Sequence, residues 1–358
     1  MKLKNITVAV IMGMIFGNSQ ASEAGFVPES SIVKAVSSRL TPEKDMRRED
    51  QTFLTIPEWF LVQSPNEYAD FIQGHRPSEF PFFGHIRQFW ATYGTVYRET
   101  KDRYDFNGGY HVMVMTIGVS TTVEYAIKGT YEKTIGRLTE WGGADYRTPE
   151  DEYAAKIARD YVDFIVVDPW YKYDFTSALK GLWTDVPDTG KHPVRKWERR
   201  VALSAEYTVK AGYAWIIKKA TQASFDKPSP VTVVVATFPS DAAANSVKGL
   251  KVVKKFDGGT YLVELPRYQA FSDSAISLAG VGGEFREIAG NKDFIVFSVL
   301  GKRSFNPSEI DAKVILKQPI LTRPDQTRIV YQASIKHFSQ ILNKAIGHSL
   351  EIEHIYDF

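Results

Sequence analysis

Hydrophobic side chains recur at helical spacing through the first part of the chain. Over residues 84–103 they lie three or four positions apart, on one face of a predicted helix: Ile86, Phe89, Trp90, Tyr93 and Tyr97. Mostly apolar stretches at 109–141 and 194–222 predict two further long helices. No segment before residue 227 alternates convincingly between apolar and polar residues, so we expect this region to be mainly α.

Two segments have the pattern of a helix N-terminus. Ser64-Pro65-Asn66-Glu67 and Thr148-Pro149-Glu150-Asp151 each combine a hydroxyl residue, a proline and a later carboxylate. In such a capping box the hydroxyl oxygen accepts one free backbone N–H and the carboxylate accepts another. We therefore predict that helices begin at both points and that the second runs to about Val166.

The periodicity changes after residue 230. The pattern predicts the following elements in order: a strand at 231–238, a short helix at 240–248, strands at 251–256 and 260–265, a helix at 268–281, and strands at 285–289 and 293–300. Asp257-Gly258 and Gly290-Asn291 predict hairpin turns between the paired strands. The order β-α-β-β-α-β is the ferredoxin-like order. Beyond it we expect a hairpin around 323–325, a helix over 331–346 and a strand near 350–356.

These patterns divide the chain into three parts. Residues 1–21 are a predicted signal peptide, 22–227 a predicted aromatic-rich helical domain, and 228–358 a predicted α+β domain of ferredoxin-like order. All seven tryptophans precede residue 216, and Pro228 and Pro230 mark the predicted linker. We find no internal repeat and no low-complexity tract in the sequence.

The predicted signal peptide determines the expected location. Lys2 and Lys4 precede an apolar run at 6–16 that is much shorter than the roughly 20 residues of a spanning helix. Small residues favour cleavage after Ala21, and the alternative is an uncleaved anchor. We expect a periplasmic or secreted protein with no transmembrane helix in the mature chain.

Composition excludes several classes of protein. Of 358 residues, 44% are hydrophobic, 24% charged and 13% aromatic, which are values of a globular protein. The chain has no cysteine, which excludes disulfides, thiolate nucleophiles, iron–sulfur clusters and covalent c-type haem. Without Lys2 and Lys4 the formal charges balance, and nothing indicates a nucleic-acid partner.

Glu124 is the strongest candidate for acid–base chemistry, because it is the one formally charged residue between Tyr110 and Ile127. A buried carboxylate there would have a raised pKa and act with His111 or His85. The alternative is a salt bridge to Lys128 or to an arginine on a neighbouring helix.

A second candidate is a pocket for an apolar ligand. Aromatic residues flanked by proline cannot all point into one core from a regular element. The expected pocket residues are Glu58, Trp59, Phe82, Phe83, His85 and Trp90. The alternative is a loop packed onto the helical core.

The third candidate is the basic helix at 194–222. Its start is crowded with cations and a tryptophan lies near each end, which is typical of a helix at a membrane interface. The expected membrane-contact residues are Arg195, Lys196, Trp197, Arg199, Arg200 and Trp215. The alternative is an ordinary solvated face.

Three hypotheses of function follow. The first is an exported, non-catalytic envelope protein that binds an apolar small molecule, a lipid surface or an envelope protein, with no cofactor and no metal. The second is an enzyme that uses Glu124 with His111 or His85. The third is a non-covalent haem or metal protein.

Overall fold

The first part of the chain folds as helices, as the periodicity predicts. In chain order these are α1 (Gln51–Gly74), α2 (Phe82–Thr100), α3 (Gly108–Tyr131), α4 (Pro149–Ile165), α5 (Phe175–Thr184) and α6 (Pro193–Ser224). After α3 the helix continues through a π-helical stretch, Glu132–Gly136, into a last turn, Arg137–Thr139. This computed structural model describes residues 39–141, 146–224 and 230–358.

Two predictions fall on residues outside these ranges. The signal peptide at 1–21, with its cleavage site, stays a prediction. Residues 225–229 carry most of the predicted linker, so the boundary between 22–227 and 228–358 also stays a prediction. Leu40–Phe358 form one compact unit by their internal contacts. Within the described residues, no helix is both long and apolar enough to span a bilayer.

One of the two predicted helix starts is confirmed and the other is wrong. Thr148 caps α4: its hydroxyl accepts the backbone N–H of Asp151, whose carboxylate accepts in return. By contrast, α1 begins at Gln51 and continues through both Pro57 and Pro65. Ser64 therefore lies inside α1, and its hydroxyl contacts His85 and Tyr125 of other helices instead of capping a helix.

The second part of the chain contains two antiparallel four-stranded sheets. The unit that contains the first sheet has four strands and two helices. In chain order they are β1 (Val231–Thr237), α7 (Asp241–Ser246), β2 (Lys251–Lys255), β3 (Thr260–Pro266), α8 (Gln269–Gly280) and β4 (Glu284–Ile288). Its strands lie in the order β2-β3-β1-β4, with every pair antiparallel. The predicted turn between β2 and β3 is confirmed, with Gly258 at φ 71°.

The second sheet is built from β5 (Phe294–Lys302), β6 (Lys313–Ile320), β7 (Arg323–Ser334), α9 (Phe338–Gly347) and β8 (Glu351–Tyr356). Its order, β6-β7-β5-β8, repeats that of the first sheet position for position. A helix precedes the last strand in both units, and α8 packs against α9. The fold therefore contains an internal repeat that the sequence does not display.

Two predictions in this region are wrong. β4 and β5 do not form a hairpin, because they belong to different sheets and the chain crosses between the sheets at Gly290. The predicted helix over 331–346 begins only at Phe338, because residues up to Ser334 extend β7. Tyr331 and Ala333 alternate into the core from that strand.

Each sheet contributes to a shared core. Inward residues of β1, β3, β5 and β7 pack with α8 and α9 in one cluster. On the opposite face of the second sheet, Val296 and Val330 pack against Phe53 and Leu54 of α1. β5 is thus buried on both faces, which explains its continuous apolar sequence.

Close packing of α3 on α2 leads to a stability prediction. A Cβ at Gly118 would overlap the Phe89 ring and lie 2.9 Å from Cη2 of Trp90. We expect Gly118→Ala to lower the free energy of unfolding by about 1–3 kcal/mol in urea titration. The matched control is Gly212→Ala in α6, where no atom lies within 4 Å. There alanine gains about 0.5–1 kcal/mol of helix propensity, and equal effects at both sites would contradict the packing argument.

Candidate functional site

The outer side of α3 is apolar and exposed to solvent. Its exposed side chains recur every three or four residues and so form one stripe along the helix: Val112, Met115, Val119, Val123 and Ile127. Ile127 is 67% exposed. A soluble helix normally buries its apolar stripe, so this stripe needs an explanation.

α6 carries a second exposed stripe of the same kind. It consists of Val194, Trp197, Val201, Val209, Trp215 and Ile216. Trp215 and Val201 are each 63% exposed. The opposite side of α6 is buried and contains Arg195, Arg199 and Arg200. The helix therefore has charged residues inside and apolar residues outside, the reverse of an ordinary surface helix.

The two stripes lie on the same side of the molecule. α3 and α6 are antiparallel neighbours, because Lys128 pairs with Glu206 at 3.1 Å and Glu124 with Lys210 at 3.1 Å. On each helix the centre of the stripe lies roughly 140° around the axis from these pairing residues, at about 100° per residue. Because the helices run in opposite directions, both rotations lead to the same side. We call the two stripes together the apolar face.

Tryptophans and cations border the apolar face. Trp197 and Trp215 lie near the two ends of α6, and Trp141, beyond α3, is 89% exposed. Exposed Lys218 and Lys219 follow Trp215 along α6. Exposed Lys133 and Arg137 lie beyond the C-terminal end of α3, near Tyr131, which donates to Glu198 of α6. Cations are thus present towards both ends of the face.

A buried ionic cluster holds α6 in this orientation. The cluster consists of Arg195, Lys196, Arg199 and Arg200 with Glu132, Glu140, Glu150, Asp151 and Glu198. Its close contacts include Arg195 Nη2 to Asp151 Oδ1 at 2.6 Å, Lys196 Nζ to Glu150 Oε1 at 2.6 Å and Arg199 Nη1 to Glu132 Oε1 at 2.7 Å. Arg200 also pairs with Asp188. All four bases are at most 2% exposed. The pKa of Arg199 is well above its usual value: burial lowers it, but Glu132 and Asp151 outweigh that effect.

The cluster corrects the electrostatic part of the expected membrane contact. Arg195, Lys196, Arg199 and Arg200 point inward to carboxylates and are not at the surface. Trp197 and Trp215, the other two expected contact residues, are exposed.

Glu124 is not the buried carboxylate that the acid–base hypothesis requires. Its side chain is 46% exposed and pairs with Lys210, across to a neighbouring helix. Glu124 thus forms a salt bridge, as the alternative hypothesis proposed, but its partner is Lys210 and not Lys128 or an arginine. Glu206 lies between Lys128 and Lys210: burial alone would raise its pKa, but the two lysines hold it below the usual range.

His85 belongs to a buried network that the sequence did not predict. Its Nδ1 lies 2.9 Å from Ser64 Oγ, and its Nε2 lies 3.6 Å from Glu67 Oε2. Ser64 also bonds to Tyr125, and Arg328 of β7 donates to Glu67 at 3.0 Å. Burial, with the nearby Arg328, lowers the pKa of His85 to about 3, so the ring is neutral.

Serine, histidine and glutamate in contact resemble the parts of a nucleophilic triad. Here all three are at most 3% exposed, which leaves the serine oxygen no surface to present to a substrate. The network instead joins α1 and α2 to the second sheet. Ser64 and Glu67 are three positions apart on α1, a spacing that places them on one helix face. The spacing of Ser64 and Glu67 was the feature of the sequence that could have indicated this network.

The other expected site residues are dispersed. His111 is 6% exposed, bonds to Tyr93 Oη at 3.1 Å, and has its pKa lowered by burial. Trp59 stacks on His354 at 3.6 Å, Tyr110 donates to Glu58, and Trp90 donates to Thr122. Phe82 is buried beside Phe80 and Tyr125, whereas Phe83 is 38% exposed. These contacts match the alternative of a packed core.

A polar cavity of about 290 Å³ lies beside the end of α3. Its lining residues are Arg76, Ser78, Glu79, Lys133 and Arg137. A second cavity, of about 10 Å³, includes His111 and Asp50 in its lining but has room for about one water molecule. Neither cavity is lined by the residues of the expected apolar pocket.

The ionic cluster yields a first prediction at this site. Glu150 contacts both Lys196 and Arg200 and is fully buried. Glu150→Gln removes the carboxylate that Lys196 and Arg200 share and leaves Arg200 with Asp188 alone among the described carboxylates, so we expect a loss of about 3–5 kcal/mol in the free energy of unfolding. The control is Asp163→Asn, which breaks a pair with Arg159 whose side chains are 67% and 35% exposed. That change should lower the free energy of unfolding by less than about 1 kcal/mol. Equal losses in the two variants would contradict the larger cost expected at the buried site.

His354 yields a prediction on pH. Burial lowers its pKa from the usual 6.5 to about 3. The unfolded chain therefore binds this proton first, and stability present above pH 6.5 is lost as the pH falls towards 3. We expect His354→Gln to remove this dependence, so that the pH slope of the unfolding free energy decreases by about 1.4 kcal/mol per unit. An unchanged slope, or an equal change in the exposed-site control His337→Gln, would contradict the assignment.

The apolar face, the ionic cluster beneath it and the cavity at its end meet around the C-terminal end of α3. Among the described residues, no group of three or more histidine, aspartate or glutamate side chains is arranged to hold a metal ion. The chain matches no protein-family model, no curated protein and no solved structure.

Proposed function

We propose that this chain is an exported, non-catalytic envelope protein that lies on a membrane surface through its apolar face. The observation that carries the proposal is the reversed orientation of α6. Trp197, Val201 and Trp215 face solvent while the arginines of the same helix are buried. An exposed apolar surface that spans two long helices is typical of an interaction site.

The composition of the face favours lipid over the other occupants. Tryptophans near both ends suit the boundary between acyl chains and headgroups. Lys218 and Lys219 at one end, and Lys133 and Arg137 towards the other, suit anionic headgroups. The stripe on α3 follows a helix of 24 residues, roughly 36 Å long, and so presents a long surface rather than an enclosed pocket.

The remaining hypotheses stay predictions. An apolar small molecule or an envelope protein on the same face is an alternative occupant that the experiment below distinguishes. No contact described above favours an enzyme that uses Glu124, His111 or His85, or a non-covalent haem protein.

Two further parts of the proposal rest on sequence and topology. Periplasmic or secreted location rests on the predicted signal peptide at 1–21. We also propose that Val231–Ile288 forms a ferredoxin-like unit. Its support is the chain order β-α-β-β-α-β together with the sheet order β2-β3-β1-β4.

The apolar face leads to a direct test. We expect the full-length mature protein to sediment with vesicles that contain phosphatidylglycerol, and Ile127→Asp/Val201→Asp to weaken that binding at least about tenfold. Each side chain is more than 60% exposed, so it gains about 1.5–3 kcal/mol when buried in lipid. Circular dichroism confirms that the variant is folded.

The matched control is Val253→Asp/Ile346→Asp, which changes two exposed apolar residues of the second region. The control should sediment as the unchanged protein does. Failure of the unchanged protein to sediment at low salt would reject the membrane proposal. Light scattering in solution would then show whether the face joins two copies, and native mass spectrometry would reveal a retained apolar ligand.

A further inference from the structure

The cavity beside the end of α3 is lined mainly by basic side chains. Arg76, Lys133 and Arg137 line it, and Glu79 is the one acidic residue among the described residues of its lining. Glu79 is engaged locally, since its carboxylate lies 3.4 Å from the backbone nitrogen of Arg76. The described lining therefore has three basic residues and one acidic residue around a space of about 290 Å³.

Aromatic rings position two of the three cations. The Arg76 guanidinium carbon lies 5.2 Å from the centre of the Tyr146 ring, and Lys133 Nζ lies 5.6 Å from the centre of the Phe83 ring. Such cation–π contacts restrict long side chains. The cations are thus partly fixed before any ligand arrives, which lowers the entropy lost on binding.

The floor of the cavity is tied to the ionic cluster. Ser78 donates to Glu140 Oε2 at 2.5 Å, and Glu140 Oε1 lies 3.5 Å from Arg195. Arg195 also lies over the Tyr146 ring, at 5.9 Å. Ser78 of the cavity lining is therefore connected through Glu140 to the ionic cluster.

We propose that this cavity binds a phosphate group carried by a small phosphoester or by a phospholipid headgroup. Arginine forks and a lysine around one space match the several oxygens of a tetrahedral oxyanion better than the two of a carboxylate. The volume is near the lower end of ligand sites, about 300 Å³, and suits a phosphate with a short glycerol arm.

The surroundings of the cavity explain how a lipid would reach it. Leu138 directly follows Arg137 along the chain and is 69% exposed, and Trp141, three residues further on, is 89% exposed. A headgroup held by Arg137 would therefore have exposed apolar side chains near its glycerol. Only this lipid form of the proposal rests on the proposed membrane function.

The test uses the full-length mature protein and two pairs of substitutions that remove the same charge. Lys133→Gln/Arg137→Gln changes the cavity, and Lys336→Gln/Lys344→Gln changes two exposed lysines of the second region. Calorimetry measures binding of inorganic phosphate and of glycerol 1-phosphate. Sedimentation measures binding to vesicles of phosphatidylcholine alone and to vesicles mixed with phosphatidylglycerol.

We expect the cavity pair to lose at least about tenfold in affinity for a phosphate probe, which corresponds to about 1.4 kcal/mol, while the control pair binds as the unchanged protein does. If the cavity pair loses affinity for glycerol 1-phosphate, a soluble phosphoester is sufficient to occupy the cavity. Loss with both kinds of vesicle identifies the phospholipid headgroup phosphate as the source, whereas loss confined to phosphatidylglycerol vesicles reflects general attraction of anionic lipid and overturns the proposal. Equal behaviour of the two pairs with every probe overturns the proposal.

Failure of this proposal is distinguishable from failure of the membrane proposal. Ile127→Asp/Val201→Asp leaves the cavity lining unchanged, so it should retain calorimetric binding of any phosphate probe that the unchanged protein binds. If the cavity pair sediments normally with both kinds of vesicle and no soluble phosphate binds, the membrane proposal stands and the phosphate site is rejected.

Discussion

The neutralisation of four buried cations is the constraint on which the helical region depends. The first two turns of α6 carry all four of these bases: Arg195, Lys196, Arg199 and Arg200. The helix dipole is positive at that end and therefore disfavours cations there. Carboxylates from two other segments offset this: Glu132 from the π-helical stretch, and Glu150 and Asp151 from the first turn of α4. Removing any one segment would leave buried charge without a partner. The ends of α3, α4 and α6 are therefore held together by charge.

The two sheets form a platform on which α1 and α2 are fixed by a second set of polar contacts. Arg328 lies between Glu67 of α1 and Glu353 of β8, at 3.0 and 2.7 Å. Apolar contacts of Phe53 and Leu54 on the second sheet surround this link. Because an ion pair must be aligned while apolar contacts tolerate sliding, the arginine determines the position of α1 on the sheet. The buried Ser64–His85 contact then positions α2 relative to α1.

Elements that depend on local sequence could be predicted, and those that depend on distant partners could not. Thr148 and Asp151 complete their capping box within one turn, so the sequence pattern was sufficient. Ser64 and Glu67 show the same pattern, but a histidine, a tyrosine and an arginine from other elements take their side chains. The strand pairing of β4 with β1 rather than with β5 is likewise a tertiary choice.

The candidate site shows the same limit. Periodicity shows that Trp197, Val201 and Trp215 share one side of α6, and that bases lie elsewhere on the helix. It cannot show which side faces water, because Glu132, Glu150 and Asp151, which attract the bases inward, are more than forty residues away in the chain. The cavity combines three cations from two separate segments, and its residues have no common motif. Burial of Glu124 was expected from apolar neighbours that instead face solvent.

Inward charge and outward apolar surface are two consequences of one arrangement. Rotating α6 by half a turn would bury Trp197 and Trp215, but it would separate each guanidinium from its carboxylate, at several kcal/mol per broken buried pair. Burial of the exposed apolar side chains returns about 1.5–3 kcal/mol each, and only where a complementary apolar surface exists inside. The inner surface that α6 packs on instead carries the carboxylates of α4 and of the π-helical stretch, so it is charged and not apolar. The apolar face is therefore preformed, and contact with a lipid surface requires no rotation of the helix. Because Glu140 and Arg195 connect the cavity floor to the same cluster, the cavity and the face are held in fixed relation by the same charges.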